Sequence, residues 1–488
     1  MVDIRDDEVR AIIRRVRERL GPEGLVAPAP PPGGDLGPLG GDRGGDHRDG
    51  IFPTIDAAVA AAWAAFQAYR DLGLERRKVV IEAVRRAMRE HAAELGRMAH
   101  AETGLGRAED KRLKNLLVTD KTPGPEDLEP EIWSGDRGLT VTEYAPYGVI
   151  AAITPTTNPN ATIINNTIAV VSAGNAVVFN VHPNAKGVSA ANIRILNQAI
   201  VGAGGPPNLV AGIPEPTLES ARELMEHPRI RVLLVTGGPG VVQAALATSK
   251  KAITAGPGNP PIVVDESADL DLAGREIVRG ASFDNNVICT DEKETFVVRS
   301  VAEPLLTALQ ANGAVLVKDY QLRQLERVIF SELGAPGKPG RINPKWIGKN
   351  AGAILGEIGV RAGEEVRLIL ADVPAEHSLV WTEQMMPVMP VVRVASVDEA
   401  IDLAVRAEHG FGHTAAIYSR NVDAITRMAR EIDVSIFVAN GPTLAGLGAG
   451  GEGYTSFSIA SPTGEGMTRP RTFSRVRRLT VADGLRIV

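Results

Sequence analysis

A chain of 488 residues has room for two or three domains at roughly 150 residues each and can bury a large core without disulfide or metal support. Its 53 basic and 59 acidic residues leave a net charge of −6, which argues against a general nucleic-acid binder. A single cysteine, Cys289, excludes an internal disulfide framework, a Cys-rich zinc site and a Cys-ligated iron–sulfur cluster.

The lone cysteine fits a reducing, cytoplasmic compartment, and no apolar run approaches the roughly 18 residues that span a bilayer. In residues 1–20, Val9, Ile12, Ile13, Val16 and Leu20 recur at helical spacing. Asp6, Asp7 and Glu8 precede Arg14, Arg15, Arg17 and Arg19, an order that suits the helix dipole. The pattern predicts an amphipathic helix. More than half of residues 21–50 are Gly or Pro, so this stretch reads as a flexible tether spanning on the order of 30 Å. A detached helix needs a cover for its apolar stripe: its own subunit, a membrane surface or a partner protein. Mixed charges on the polar face and a stripe without Trp or Phe speak against the membrane.

Residues 55–70 and 76–101 carry helical periodicity. From about 148 the chain alternates β-rich runs with helices. VIAAITP, NAVVFNV, NLVAGI, RVLLVTG and PIVVDE are predicted strands, with helices at 161–173, 187–203, 217–226 and 240–250. Such alternation implies right-handed βαβ units and parallel sheets, an α/β fold. A second α/β stretch runs from about 259 to 457, with strands near ETFVV, RLILADV, VMPVVRV, TAAIYS and VSIFVAN. GLTVTEYAPYGV at 138–149 and the C-terminal TFSRVRRLTVADGLRIV are β-rich and suited to pair as an arm outside the main sheets.

Cys289 falls on a connection between a predicted helix ending near Ala281 and a strand beginning near Glu294. Polar Asp284, Asn285 and Asn286 before it favour a reactive thiol; Val287 and Ile288 favour a small buried hydrophobe. The turn Thr236-Gly237-Gly238 between a strand and a helix would expose N–H groups to a pyrophosphate, or is an ordinary connection. The eight histidines are scattered, and no metal site is expected.

The segments ITPTTNPNATIINN, SAGNAVVF, VTGGPGVV, AGPGNPPIVVDESADL, SFDNNVICTDEK, TEQMMPVMPVVRV, FGHTAAIYS and GLGAGGEGYTSFSIASPTGEGMTRPRTF follow one another along residues 51–488. Together they resemble the CoA-acylating branch of the aldehyde dehydrogenase superfamily, and most of all the propionaldehyde and acetaldehyde dehydrogenases of bacterial microcompartments. The resemblance implies a Rossmann-like NAD-binding domain at 51–258, a catalytic α/β domain at 259–457 and a C-terminal loop and oligomerisation strand at 458–488. It implies the conversion of a short-chain aldehyde, NAD (NADP is not excluded) and coenzyme A to acyl-CoA through a cysteine thioester.

By the same resemblance Cys289 is the nucleophile and Asn158 the side-chain donor to the oxyanion. Thr236, Gly237, Gly238, Pro155, Thr156, His182 and Glu383 are the expected cofactor contacts, with Glu383 on the nicotinamide ribose. Asn180-Val181-His182-Pro183 replaces a K-P-S-E segment whose lysine holds the adenosine ribose in many relatives. Hydrolytic members carry a glutamate that activates water against the thioester; Thr254 stands at that place, and threonine is no general base near neutral pH. Two readings stay open for Gly446–Gly453 with residues 462–466: part of the acyl pocket or CoA path, or a loop without ligand contact. The resemblance turns residues 1–20 into an encapsulation peptide that docks on shell proteins, placing a homodimer or homotetramer inside a microcompartment. The rivals are a hydrolytic aldehyde dehydrogenase and a non-catalytic cargo scaffold.

Overall fold

The computed structural model describes residues 49–488, so the helix expected at 1–20 and nearly all of the tether lie outside the described residues. Runs rich in Val, Ile and Ala form strands buried on both faces, as parallel sheets require. Val149–Ile153 and Ala176–Asn180 are buried at every position. With Val210–Gly212, Ile230–Thr236 and Lys251–Ala255 they make a five-stranded sheet in which all neighbours are parallel. Numbered by their place in the chain, the order is third, second, first, fourth, fifth. The order reverses between Val149–Ile153 and Ile230–Thr236, and such a switch point opens a crevice at the carboxyl ends of the two strands.

Seven parallel strands form the second sheet, in the order Ala314–Leu316, Leu368–Asp372, Val388–Val394, Glu294–Val298, Pro261–Val264, Thr414–Tyr418 and Ile436–Ala439. Helices cover both faces of this sheet, with separate apolar clusters on each side. The arm is a three-stranded antiparallel sheet. Ser474–Ala482 pairs along the whole of Gly138–Pro146, from Ser474 opposite Pro146 to Ala482 opposite Gly138. Glu131–Gly135 adds a strand that the sequence reading omits.

The helices expected at 161–173 and 187–203 are Pro159–Ser172 and Lys186–Gly202. The helix expected to reach 250 stops at Leu246, because the chain turns there to enter the edge strand Lys251–Ala255. One further helix, Ala108–Lys121, is polar in composition yet buries Asp110, Lys111, Lys114 and Asn115. No helix among the described residues is long and apolar enough to cross a membrane.

Candidate active site

The crevice at the switch point is a cavity of about 520 Å³. Residues following four strands of the five-stranded sheet build one side. Pro155, Thr156 and Asn158 follow the first strand, and His182 the second. Thr236, Gly237 and Gly238 close the fourth, and Gly256 and Pro257 follow the fifth. Cys289 and Glu383 come from the other sheet's connections. All nine residues expected from the sequence to be catalytic or to touch the cofactor therefore line the same space.

Gly238 caps the helix Pro239–Leu246 without a side-chain hydrogen bond, and nothing lies within 4 Å of where its Cβ would stand. Gly238 and Pro239 thus bring the N-terminus of that helix, whose first-turn N–H groups lack intrahelical partners, to the cavity wall. His182 accepts from Asn184 N–H at 3.2 Å through Nδ1, and burial lowers its pKa, which keeps the ring neutral.

The segment carrying Cys289 is tied to itself. Lys293 Nζ donates to the Asn286 and Ile288 carbonyls at 3.0 and 3.3 Å and to Asn286 Oδ1 at 2.6 Å. Asn286 Nδ2 donates to the Ala281 and Glu292 carbonyls, joining the end of the preceding helix to the turn that leads into the strand Glu294–Val298. Ile288 N–H donates to Asp291 Oδ2 at 3.1 Å. Asp284, Asn285 and Asn286 hold φ of 44°, 56° and 65°, three successive left-handed residues. Each such residue costs of order 1–3 kcal/mol, so the surroundings must impose the shape.

Cys289 is partly exposed to the cavity and packs against the apolar core. Burial pushes its thiol up to about 12; the Glu383 carboxylate adds to the rise, and the Lys293 ammonium opposes it. The cysteine's own backbone N–H also opposes the rise. Burial also raises Glu383, which accepts a hydrogen bond from Gly258 N–H. Glu383 is the one carboxylate among the described residues that line this cavity. Thr254 is fully buried at the end of its strand and does not reach the wall.

Asn158 is the N-cap residue of Pro159–Ser172 but makes no side-chain cap bond. Its carboxamide is used elsewhere: Oδ1 accepts from Lys114 Nζ at 2.5 Å, and Nδ2 donates to Thr157 Oγ1 at 3.1 Å. A second cavity of about 650 Å³ adjoins, lined by apolar Leu113, Leu117, Phe283 and Leu444 and by charged Asp110, Lys114, Arg279 and Arg367, and shares Phe457 with the first.

Two groups near the site escaped sequence reasoning. His413 is fully buried, burial lowers it to about 4, and its Nε2 has no partner. Gly258 separates its ring from the Cys289 carbonyl: a Cβ there would stand 2.7 Å from that oxygen and 3.0 Å from His413 Cγ. Lys114, with Lys111 and Asp284, is the other group. A run such as AEDKRLKN reads as a solvated helix face, and nothing in its spacing marks two lysines as buried.

A model of the aldehyde dehydrogenase family matches residues 40–324 and 360–462. The acetaldehyde dehydrogenase (acetylating) EutE of Salmonella typhimurium is 50% identical over 443 residues, which are 91% of this chain and 94% of that one. The propionaldehyde dehydrogenase of Rhodopseudomonas palustris, solved with bound CoA and an acylated cysteine, superposes with a TM-score of 0.87 at 46% identity, covering 90% of this chain and all of that one. A propionaldehyde dehydrogenase from the fucose utilisation bacterial microcompartment of Clostridium phytofermentans gives 0.87 at 42% identity, with 90% of this chain and 100% of that one covered. A cysteine and an asparagine facing one cavity at a dinucleotide switch point, and matches over most of the chain, lead to one conclusion: the chain belongs to the aldehyde dehydrogenase family.

Proposed function

We propose that this protein is a CoA-acylating aldehyde dehydrogenase, which converts a short-chain aldehyde, NAD and coenzyme A to acyl-CoA and NADH. One observation carries the reading: Cys289 and Asn158 line a cavity whose only carboxylate, among the described residues, is Glu383. The Cys289 thiolate adds to the aldehyde carbon, and Asn158 Nδ2 with the Cys289 N–H holds the oxygen as its charge grows. The nicotinamide supplies the hydride acceptor when bound. Thr236, Gly237, Gly238, Pro155, Thr156 and His182 hold the dinucleotide, with Glu383 on its ribose. Collapse of the adduct leaves a thioester on Cys289, and the Cys289 sulfur departs when the thiol of coenzyme A attacks. With Thr254 where hydrolytic relatives have a base, and buried off the cavity wall, water finds no second carboxylate to activate it.

The exposed Ile132, Trp133, Val476 and Leu479 on the arm favour a homodimer or homotetramer, since a second copy would cover them. Residues 1–20 then serve as an encapsulation peptide for shell proteins, and the enzyme works inside a cytoplasmic microcompartment. The assay is a panel of C2–C4 aldehydes with and without CoA, following NADH and acyl-CoA. Cys289→Ala should abolish both products. Without CoA, NADH should stop after about one equivalent per Cys289 and then form slowly. Fast sustained NADH without CoA, with free acid as product, would instead mark a hydrolytic enzyme. Deleting residues 1–20 should leave the assay unchanged and release the enzyme from shells; full co-purification of the truncated form would remove the targeting role.

A further inference from the structure

We propose that Lys114, held in place by Asp284 and Lys111, is a positioning residue that fixes the orientation of the Asn158 carboxamide. This rests on the role given above to Asn158.

The argument begins with what an ammonium can do. It donates and never accepts, so a lysine beside an amide dictates which way the amide faces. Lys114 Nζ donates to Asn158 Oδ1 at 2.5 Å, and that turns Nδ2 to the opposite side. One Nδ2 hydrogen goes to Thr157 Oγ1 at 3.1 Å; the other remains for a ligand. Without Lys114 the carboxamide is free to rotate by half a turn and present an oxygen to a developing oxyanion, which would repel it.

The lysine is itself held. Lys114 Nζ also donates to Asp284 Oδ2. Lys111, one turn earlier on the same helix face, donates to Asp284 Oδ2 at 3.0 Å and to the Thr157 carbonyl at 3.2 Å. Asp284 Oδ1 accepts Arg107 N–H at 2.7 Å. That approach needs Gly106, at φ +68°, because a Cβ there would stand 1.9 Å from Asp284 Oδ1. The side chains of Lys111, Lys114 and Asp284 are 3%, 2% and 0% exposed, a costly place for charge unless the charge is used. Two ammonium groups face one carboxylate. The adjacent Asp110 is spoken for by Arg367 at 3.0 Å and by Asp284 N–H. Lys111 and Asp284 would suffice as a structural pair, and the surplus cation is the one on Asn158. Asp284 also begins the left-handed run that leads to Cys289. The cluster therefore ties the oxyanion donor to the nucleophile's segment, and both are set before substrate arrives.

The test is a double-mutant cycle on the full-length enzyme with Lys114→Met, Asn158→Ala and the double variant, assayed at saturating aldehyde, NAD and CoA. Alkylation of Cys289 by iodoacetamide is measured alongside, because that displacement forms no oxyanion. Lys114→Met should lower kcat about tenfold or more, with the alkylation rate within about twofold of the parent. The double variant should be no slower than Asn158→Ala alone, which should lose about 10²–10³. Lys114→Arg, still a pure donor, should keep more activity than Lys114→Gln, which also accepts and so permits either amide orientation. If Lys114→Met does not fold, the cycle is run with Lys114→Gln. Losses that multiply in the double variant, or a fall in alkylation that tracks kcat, would make the cluster structural only and overturn the proposal. An unchanged kcat in the Lys114 variants beside a slow Asn158→Ala would overturn the proposal alone. A fast Asn158→Ala would overturn the role of Asn158 and this inference with it.

Discussion

A catalytic thiol that rests at about 12 is a strong statement about reactivity, and alkylation kinetics test it directly. The chain has one cysteine, so every alkylation event reports on Cys289. At pH 8 a thiol near 12 is ionised on the order of one part in 10⁴, against about one in ten at the ordinary value of 9.0. The thiolate fraction is therefore about 10³ lower. A more basic thiolate is intrinsically more nucleophilic, by about twentyfold for three units at a Brønsted slope of about 0.4–0.5. The net expectation is alkylation about fiftyfold slower than for an unperturbed cysteine. The sharper signature is shape. Between pH 6 and 10, the logarithm of the iodoacetamide rate for the unliganded enzyme should rise by about one per pH unit without a plateau. The rate is followed by mass spectrometry of the Cys289 peptide. A plateau near pH 8–9 would show a thiol with its ordinary proton affinity and refute the account in which burial and the Glu383 charge govern it.

Gly258→Ala brings a methyl group within 2.7 Å of the Cys289 carbonyl, a backbone atom that can yield only by moving the nucleophile. kcat should fall about ten- to hundredfold, and a parental kcat with unchanged melting temperature would show that the segment gives way freely. His413 is buried neutral, lowered from 6.5 to about 4, so the unfolded chain binds more protons between those values. Stability due to His413 is complete above about 6.5 and is lost as pH falls toward 4, a range worth about 3 kcal/mol at about 1.4 kcal/mol per unit. Denaturant titrations from pH 6.5 to 4.5 should show a shallower loss in His413→Gln than in the parent; parallel curves would remove the assignment.

The sequence was most legible where hydrophobic pattern and topology agree. Strands such as Val149–Ile153 and Ile230–Thr236 are uninterrupted apolar runs ended by polar or glycine turns, and their order places the crevice. The pairing of Gly138–Pro146 with Ser474–Ala482 was also readable, since both are alternating runs with no place in the helical layers. Glu131–Gly135 was missed because four of its five residues are exposed, leaving no burial pattern to detect; the signal was the turn Gly135-Asp136-Arg137-Gly138 between two β-formers. Lys251–Ala255 was hidden by the helix before it, whose apolar spacing runs on without a proline to stop it. Within the site, residues in distinctive motifs were found and residues in ordinary helical sequence were not. Lys111 and Lys114 look like any surface pair until the fold brings Asp284 and Asn158 to them, across 173 and 44 residues of chain.

Glu383 has two incompatible duties in a cavity with no other carboxylate among the described residues: it clamps a ribose, or it draws a proton from water. Burial raises its proton affinity, the direction a general base needs, while the Gly258 N–H and Lys293 stabilise its charge, as a clamp needs. Glu383→Gln separates the two, because glutamine keeps the shape and an acceptor for Gly258 but loses the charge. A clamp gives up charge-assisted hydrogen bonds worth about 1.5–3 kcal/mol, so KM for NAD should rise roughly ten- to hundredfold with the ratio of acyl-CoA to free acid unchanged. Removing the charge also lowers the Cys289 thiol, so the variant should alkylate faster than the parent at pH 8. If instead KM for NAD stays constant and the slow acid-forming reaction without CoA disappears, Glu383 is the base. The thioester's survival would then depend on how fast coenzyme A arrives, with the missing glutamate at Thr254 no longer its explanation.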